Sequence, residues 1–229
     1  MVEGSRSLSA KLNWLRAGVL GANDGIVSVA GIVMGVAGAT TSSPALLIAG
    51  LAGLVAGALS MAGGEYVSVS SQKDTELAAV GKVRKLLASE PDRALAELTT
   101  SYESQGCSPD LAAQVAQTLT NHDAVAVQTQ ARYGISSHEQ TSPWAAALAS
   151  FVSFIVGALI PLLAMICTNP SARVAATPIA VMGALALTGS VSAWLGKAKI
   201  GRAVLRNCLV GLLTMGITYL VGNLVGIQL

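Results

Sequence analysis

Five long apolar stretches dominate the sequence and restrict what the chain can fold into. They cover residues 15–39, 44–69, 143–167, 174–195 and 203–227. Crossing a hydrocarbon core of ~30 Å takes about 20 largely apolar helical residues, and every stretch is long enough. Charged residues make up only 11% of the chain, against about 25% of an ordinary soluble domain. We therefore predict an all-α, polytopic membrane protein with five transmembrane helices in a lipid bilayer.

The basic residues predict how these helices are oriented in the membrane. Of the 14 Lys and Arg, only Arg173 falls in a segment that must lie opposite to the others, and the loop 40–43 carries no base. Because Lys and Arg are concentrated in cytoplasmic loops, we expect the N-terminus to be cytoplasmic and the C-terminus to lie on the other side. We also expect the first apolar run to be a retained span, since it is too long for a signal peptide and contains Asn23 and Asp24.

The polar segment between the second and third spans contains residues typical of helix starts and helix ends. Ser89 and Ser108 each precede a proline and an acidic residue, which is typical of helix starts, while Gly106 and Gly134 suit helix ends. We predict three cytoplasmic helices near residues 72–88, 90–104 and 109–132, the first continuing the second span without a break. The predicted domains are residues 1–71 (helices 1 and 2), 72–142 (the insert) and 143–229 (helices 3 to 5).

Two acidic residues lie within the predicted spans and are the most informative feature of the sequence. They are Asp24 in the first span and Glu65 in the second, at comparable depths. A carboxylate in mid-span costs about 2.5–3.5 kcal/mol on insertion scales, so such residues usually face a pathway or a partner. Two neighbouring carboxylates resist simultaneous ionisation, so that one holds a proton until a cation replaces it. The alternative is a protonated acid that bonds permanently to a neighbouring helix.

Met61 adds a softer donor to the same helical face as Glu65. The two residues are four apart in the sequence and therefore project from one side of the helix. Oxygen donors alone suit magnesium, calcium or manganese, whereas a thioether shifts the preference toward transition metals such as ferrous iron. A methionine in an apolar helix is otherwise usually a packing residue.

Two motifs carry a resemblance to the vacuolar iron transporter family. One is Leu-Gly-Ala-Asn-Asp-Gly-Ile-Val-Ser at 20–28; the other is Ser-Met-Ala-Gly-Gly-Glu-Tyr-Val-Ser at 60–68, which leads into Ser-Gln-Lys-Asp-Thr-Glu at 71–76. The likeness extends to residues 157–163, 188–192 and 218–222. It implies a homodimer that exports ferrous iron, and often manganese, from the cytosol in exchange for protons. It also implies that Asp24, Met61 and Glu65 line the ion path at the subunit interface.

The insert is where the chain departs from that family. The resemblance implies a metal-binding domain with glutamates on successive turns, of which Glu76 and Glu97 remain as candidate metal ligands. Val83, Leu86 and Arg132 occupy positions where acids are expected. We therefore expect a folded insert whose metal binding is diminished or lost.

The function predicted from the sequence is export of Fe²⁺ or Mn²⁺ in exchange for protons, and the alternative is a membrane-bound metal sensor or scaffold that does not transport. We find no nucleotide-binding loop, nucleophile–base pair or cofactor motif, so we predict no enzyme and no cofactor. The expected partners are the lipid bilayer, divalent metal ions and a second copy of the chain, with no nucleic acid. We expect the cell membrane as the location in a bacterium and the vacuolar membrane in a eukaryote.

Overall fold

The computed structural model describes residues 2–135 and 142–227 of the chain, and the side chains of residues 2–14 and 16 lie outside this description. Within these residues every regular element is an α-helix. The helices are α1 (Val2–Ala39), α2 (Ser43–Ser89), α3 (Pro91–Ser104), α4 (Pro109–Tyr133), α5 (Pro143–Cys167), α6 (Arg173–Leu195) and α7 (Ile200–Gly226). The predicted all-α class is thus confirmed.

Within the part of the chain that the structure describes, five helices are long and apolar enough to cross a membrane, as predicted. The candidate spans are Ala17–Ala39, Ser43–Ser89, Pro143–Cys167, Arg173–Leu195 and Ile200–Gly226. The third span has the predicted bounds. The fifth helix begins earlier than the predicted residue 203, because its basic first turn is helical although it is not apolar. The predicted continuity of the second span with the first helix of the insert is also confirmed, since α2 runs unbroken over 47 residues.

The chain forms two compact units. The first unit comprises Met1–Val67 and Ser142–Leu229, and the second comprises Ser68–Thr141. In the first unit, α1 packs against α5, α6 and α7. Buried side chains from α1, α2, α5, α6 and α7 form one apolar core, and its largest fully buried side chains are Phe154, Ile26, Leu46, Met165, Leu185 and Met215.

Glycines allow α1 to approach two of its neighbours at backbone contact. A Cβ atom at Gly25 of α1 would meet the carbonyl oxygen of Phe154 of α5, and one at Gly157 would meet that of Ala22. Further along α1, a Cβ atom at Gly222 of α7 would meet the carbonyl oxygen of Gly35. In lipid, close packing of this kind replaces the hydrophobic effect as the force that associates helices.

The turn between α1 and α2 is held by a buried arginine. Arg173 at the start of α6 is 3% exposed; its guanidinium donates to Ser43 Oγ at 3.0 Å and to the carbonyl oxygen of Thr41 at 2.5 Å. Arg173, the single base on the predicted outer side, therefore has a structural role.

The second unit contains the C-terminal part of α2 together with α3 and α4. Its core is made of Ala79, Val83, Ala94, Leu98, Ala112 and Ala116. The buried Gln128 side chain of α4 donates to the carbonyl oxygen of Ala94 of α3 at 2.6 Å. This bond ties the two helices together across 34 residues of sequence.

The predicted helix starts and ends of the insert are partly right. Gly106 and Gly134 follow helix ends with φ of 100° and 67°, as expected for glycines in left-handed conformation. The predicted hydroxyl cap at Ser89 is wrong, because Glu90 is the N-cap residue of α3 and Ser89 Oγ donates to the carbonyl oxygen of Lys85. Ser108 has the predicted N-cap position, but its side chain makes no capping hydrogen bond.

Candidate functional site

A cavity of about 600 Å³ lies between α1, α2 and Phe154 of α5. Asp24 of α1 and Met61 and Glu65 of α2 all line it. The three intramembrane residues that the sequence singled out are therefore brought to one place. All three side chains are partly exposed, so they are open to a ligand rather than sealed in the core.

The cavity exists because both helices present an i, i+4 row of residues to it. On α1 the row is Asp24, Ser28 and Ile32. On α2 two adjacent rows line the cavity: Gly53, Gly57, Met61 and Glu65 form one, and Ala56, Ser60 and Gly64 form the other. Small residues in these rows leave the space between the helices empty.

Two glycines of α2 also set how closely the cavity walls approach. A Cβ atom at Gly53 would lie 2.5 Å from Cδ1 of Ile32, and one at Gly57 would overlap the buried ring of Phe154. Next to Glu65, the ring of Tyr66 packs on that of Trp144 at the start of α5, with centroids 4.8 Å apart. These contacts fix the rotation of α2, and with it the direction of Met61 and Glu65.

The donor groups in this cavity suit a divalent cation. Ser28 Oγ donates to Asp24 Oδ1 at 3.0 Å, which orients the carboxylate and leaves its second oxygen for another partner. Carboxylate oxygens of Asp24 and Glu65 and the thioether sulfur of Met61 together form a mixed hard and soft donor set. Within the described residues, this cavity included, no group of three or more His, Cys, Asp or Glu side chains is placed to hold a metal.

A second cavity of about 670 Å³ lies between α1, α6 and α7, and Glu65 lines this cavity too. Its polar lining consists of Asn23, Ser192, Arg206 and Asn207. Asn23 Oδ1 accepts hydrogen bonds from Asn207 Nδ2 at 3.2 Å and from Thr188 Oγ1 at 3.4 Å, so it joins three helices. Sequence reasoning did not identify this node. The signal for it was an asparagine in each of two apolar helices, which in lipid calls for a partner.

The two glutamates predicted in the insert lie in the second unit and do not line either cavity. Glu76 accepts a hydrogen bond from Gln72 Nε2 at 2.9 Å. Glu97 accepts one from Arg93 Nε at 2.8 Å and forms an ion pair with Arg132. Both oxygens of Glu97 are thus engaged by guanidinium groups, which compete with a metal ion for the same lone pairs.

The ion pairs of Glu97 shift its proton affinity. The hydrogen bond from Arg93, supported by the charge of Arg132, holds the pKa of Glu97 below its ordinary value. The pKa of Arg93 is raised by its hydrogen bonds to Glu90 and Glu97. Arg132 occupies a position where the sequence resemblance implied an acid, and it instead forms an ion pair with Glu97.

Comparisons with known proteins find similarity over almost the whole chain. A family model described as the VIT family matches residues 15–223. A vacuolar iron transporter of Acanthamoeba castellanii is 43% identical over 97% of this chain and 82% of its own length. Vacuolar iron transporter homolog 1 of Oryza sativa subsp. japonica is 39% identical over 98% of this chain and 79% of its own. Vacuolar iron transporter homolog 3 of Arabidopsis thaliana is 35% identical over 95% of this chain and 86% of its own. The family match covers both cavities, and the chain belongs to the VIT family.

Proposed function

We propose that the protein carries divalent metal ions across a membrane, with ferrous iron as its main substrate and manganese as a second one. The observation that carries this proposal is that Asp24, Met61 and Glu65 line one cavity between α1 and α2. Acidic residues are rare within membrane-spanning helices, and those that occur usually mark the path of an ion or a substrate. The names of the relatives, which are vacuolar iron transporters and their homologs, support iron as the substrate. In this proposal the protein is a transporter and not an enzyme.

Protons are the counter-ions in this proposal. When the metal leaves, Asp24 and Glu65 remain as two carboxylates in one cavity of an apolar bundle. In a region of low dielectric constant, two unpaired negative charges have a high free energy, and protonation removes these charges. Each transport cycle would then exchange a metal ion from the cytosol for protons from the other side.

The working unit in this proposal is a homodimer with the ion path at the subunit interface. One protomer supplies three side-chain donors, whereas ferrous and manganous ions in oxygen-rich sites prefer about six ligands. The lining residues Ala56, Ser60 and Gly64 are exposed on the surface of the protomer, so the cavity opens onto a face of small residues. A second copy packed against this face would bring a second set of donors.

The proposed orientation has the N-terminus and the insert in the cytosol, as the distribution of basic residues predicts. The membrane would be the cell membrane in a bacterium and the vacuolar membrane in a eukaryote. Metal would enter from the cytosolic end of the cavity, where Glu65 stands one turn from the end of the predicted span.

Replacing Asp24 by alanine tests the proposal. Asp24→Ala should abolish flux of Fe²⁺ and Mn²⁺ into proteoliposomes, because a three-donor set loses its α1 carboxylate, while the protein keeps its elution volume and helical content. Glu103→Ala, which removes an exposed acid of the insert, is the control and should transport normally. Undiminished metal flux in Asp24→Ala would refute the proposal.

A second candidate function is a membrane-bound metal sensor or scaffold that no longer transports. The engagement of Glu97 by Arg93 and Arg132 favours it, since the insert has lost a ligand position to ion pairs. Proteoliposomes that contain a pH-sensitive dye separate the two candidates. A transporter should move protons out of the vesicle lumen when metal is added outside, and a scaffold should produce no metal-dependent change in pH.

A further inference from the structure

The cavity between α1, α6 and α7 has a polar and an apolar part. Asn23, Ser192, Arg206 and Asn207 form the polar part, while Ala17, Val19, Leu20 and Leu195 form the apolar walls. An inorganic ion would use only the polar part. A lining of this mixed kind instead suits an amphiphile, with a headgroup at the polar side chains and a hydrocarbon chain along α1.

The charge around this cavity favours an anionic headgroup. Lys197, Lys199, Arg202 and Arg206 lie within ten residues of one another at the turn from α6 to α7 and in the first two turns of α7. The sequence contains no Asp or Glu after residue 139. Across the described residues none of these four bases forms an ion pair. The carboxylate of Glu65 is the single acid in the cavity lining, and Arg206 is the single base in it.

The surroundings of the cavity favour a lipid over a free phosphate. Trp194 at the end of α6 is 73% exposed, and Leu20 and Leu205 are 56% and 60% exposed. Trp is enriched where a membrane protein meets the headgroup region, and exposed apolar residues beside a basic cluster match the boundary between phosphates and acyl chains. The positive-inside rule explains the presence of bases at this turn but not a polar cavity behind them.

We propose that this cavity is a binding site for one anionic phospholipid. Arg206 contacts the phosphate, Asn207 and Ser192 donate further hydrogen bonds, and an acyl chain lies against Val19, Leu20 and Leu195. Arg206 suits this role because its guanidinium can donate two parallel hydrogen bonds to phosphate oxygens. Lys197, Lys199 and Arg202 raise the local concentration of anionic lipid without lining the site. This site shares Glu65 with the proposed metal cavity, but the lipid proposal does not rest on metal transport.

The test compares two arginines of the same helix that carry the same charge. The full-length protein is placed in phosphatidylcholine nanodiscs that contain fluorescent phosphatidylglycerol, and retained lipid is also counted by native mass spectrometry. Arg206→Gln should weaken binding of the labelled lipid by about fivefold to tenfold. Arg202→Gln removes an equal charge outside the cavity and should weaken it by about twofold. Equal losses in the two variants would overturn the proposal, because they would indicate a general surface attraction.

Two further arms test the polar contacts and the nature of the ligand. Ser192→Ala keeps every charge and should still lower retention of phosphatidylglycerol, which makes the test independent of whether Arg206→Gln folds well. Millimolar inorganic phosphate or glycerol phosphate should not displace the labelled lipid. Displacement by either compound, or unchanged retention in Ser192→Ala, would contradict a built phospholipid site. The lipid measurements require no metal, so their outcomes are distinguishable from those of the transport experiments.

Discussion

Asn23 and Asp24 are consecutive residues of α1 that face different cavities. Successive side chains of a helix point about 100° apart, so Asp24 lines the cavity with α2 while Asn23 lines the cavity with α6 and α7. Glu65 lines both. A residue pair of this kind couples the candidate metal site to the packing of α6 and α7, because any rotation of α1 moves both side chains together.

Met61 is predicted to set the preference for ferrous iron over manganese. Met61→Leu conserves volume but removes the thioether, so Fe²⁺ flux into proteoliposomes should fall severalfold while Mn²⁺ flux changes little. Met34→Leu makes the same change at a residue buried in the core and outside the cavity, and should leave both fluxes unchanged. An unaltered ratio of Fe²⁺ to Mn²⁺ flux in Met61→Leu would exclude sulfur as a ligand.

Glu97 is predicted to titrate below an ordinary glutamate. Its folded-state pKa is lowered first by Arg93 and then by Arg132, so the ion pairs stabilise the insert above the unfolded-state pKa of about 4.3. This stabilisation is lost as the pH falls through the folded-state pKa. Carbon NMR of labelled glutamate carboxyls should show the low midpoint in the full chain, and Arg93→Gln should raise it.

The matched control for this titration is Arg84→Gln, which removes an exposed base of α2 that makes no ion pair with Glu97. The Glu97 midpoint should not move in this variant. A midpoint that is equally low in Arg93→Gln and in the unchanged protein would show that Arg93 does not bind Glu97 in solution.

At the scale of elements, the helices were predictable and their contacts were not. Hydropathy alone predicted the third span at residues 143–167, because a run of apolar residues in lipid must satisfy its own backbone. The partner of each glycine was not predictable, since a stripe of small residues does not reveal which helix it meets.

A local break in α4 was also not predicted from the sequence. Asp123 has φ −155° and ψ 88° there, and its side chain caps the next turn by accepting from Ala126 N at 2.9 Å.

The backbone contact between α7 and α1 predicts that one glycine of α7 is sensitive and another is not. Gly222→Ala should lower the free energy of unfolding by about 1–3 kcal/mol, because its methyl group would overlap the Gly35 carbonyl. Gly216→Ala is the control on the same helix, where no atom lies within 4 Å of the added carbon. Thermal unfolding in detergent should show a lower midpoint for Gly222→Ala alone. Equal midpoints would mean that α1 and α7 do not pack this closely.

At the scale of the whole molecule, the residues of the candidate site were predictable from the sequence, whereas the long-range contacts around them were not. Asp24 and Glu65 stood out because charge in lipid is expensive, and both line the cavity. The Asn23 node was missed because its partners are 165 and 184 residues away. The ion pairs of Glu97 depend on a similar long-range contact, since Arg132 lies 35 residues away. Composition and periodicity identify costly residues, whereas only the fold identifies which groups offset that cost.

The orientation of the molecule gives the last prediction, and two native cysteines can test it. Cys167 is exposed at the end of α5, on the side predicted to face away from the cytosol, whereas Cys107 lies in the predicted cytoplasmic insert. Thirteen of the 14 bases are assigned to the cytoplasmic side, and the remaining one, Arg173, is buried against the turn from α1 to α2. A membrane-impermeant maleimide applied to the non-cytoplasmic face should therefore label a variant that keeps only Cys167. A variant that keeps only Cys107 should react only after permeabilisation, and its labelling in intact membranes would reverse the proposed topology.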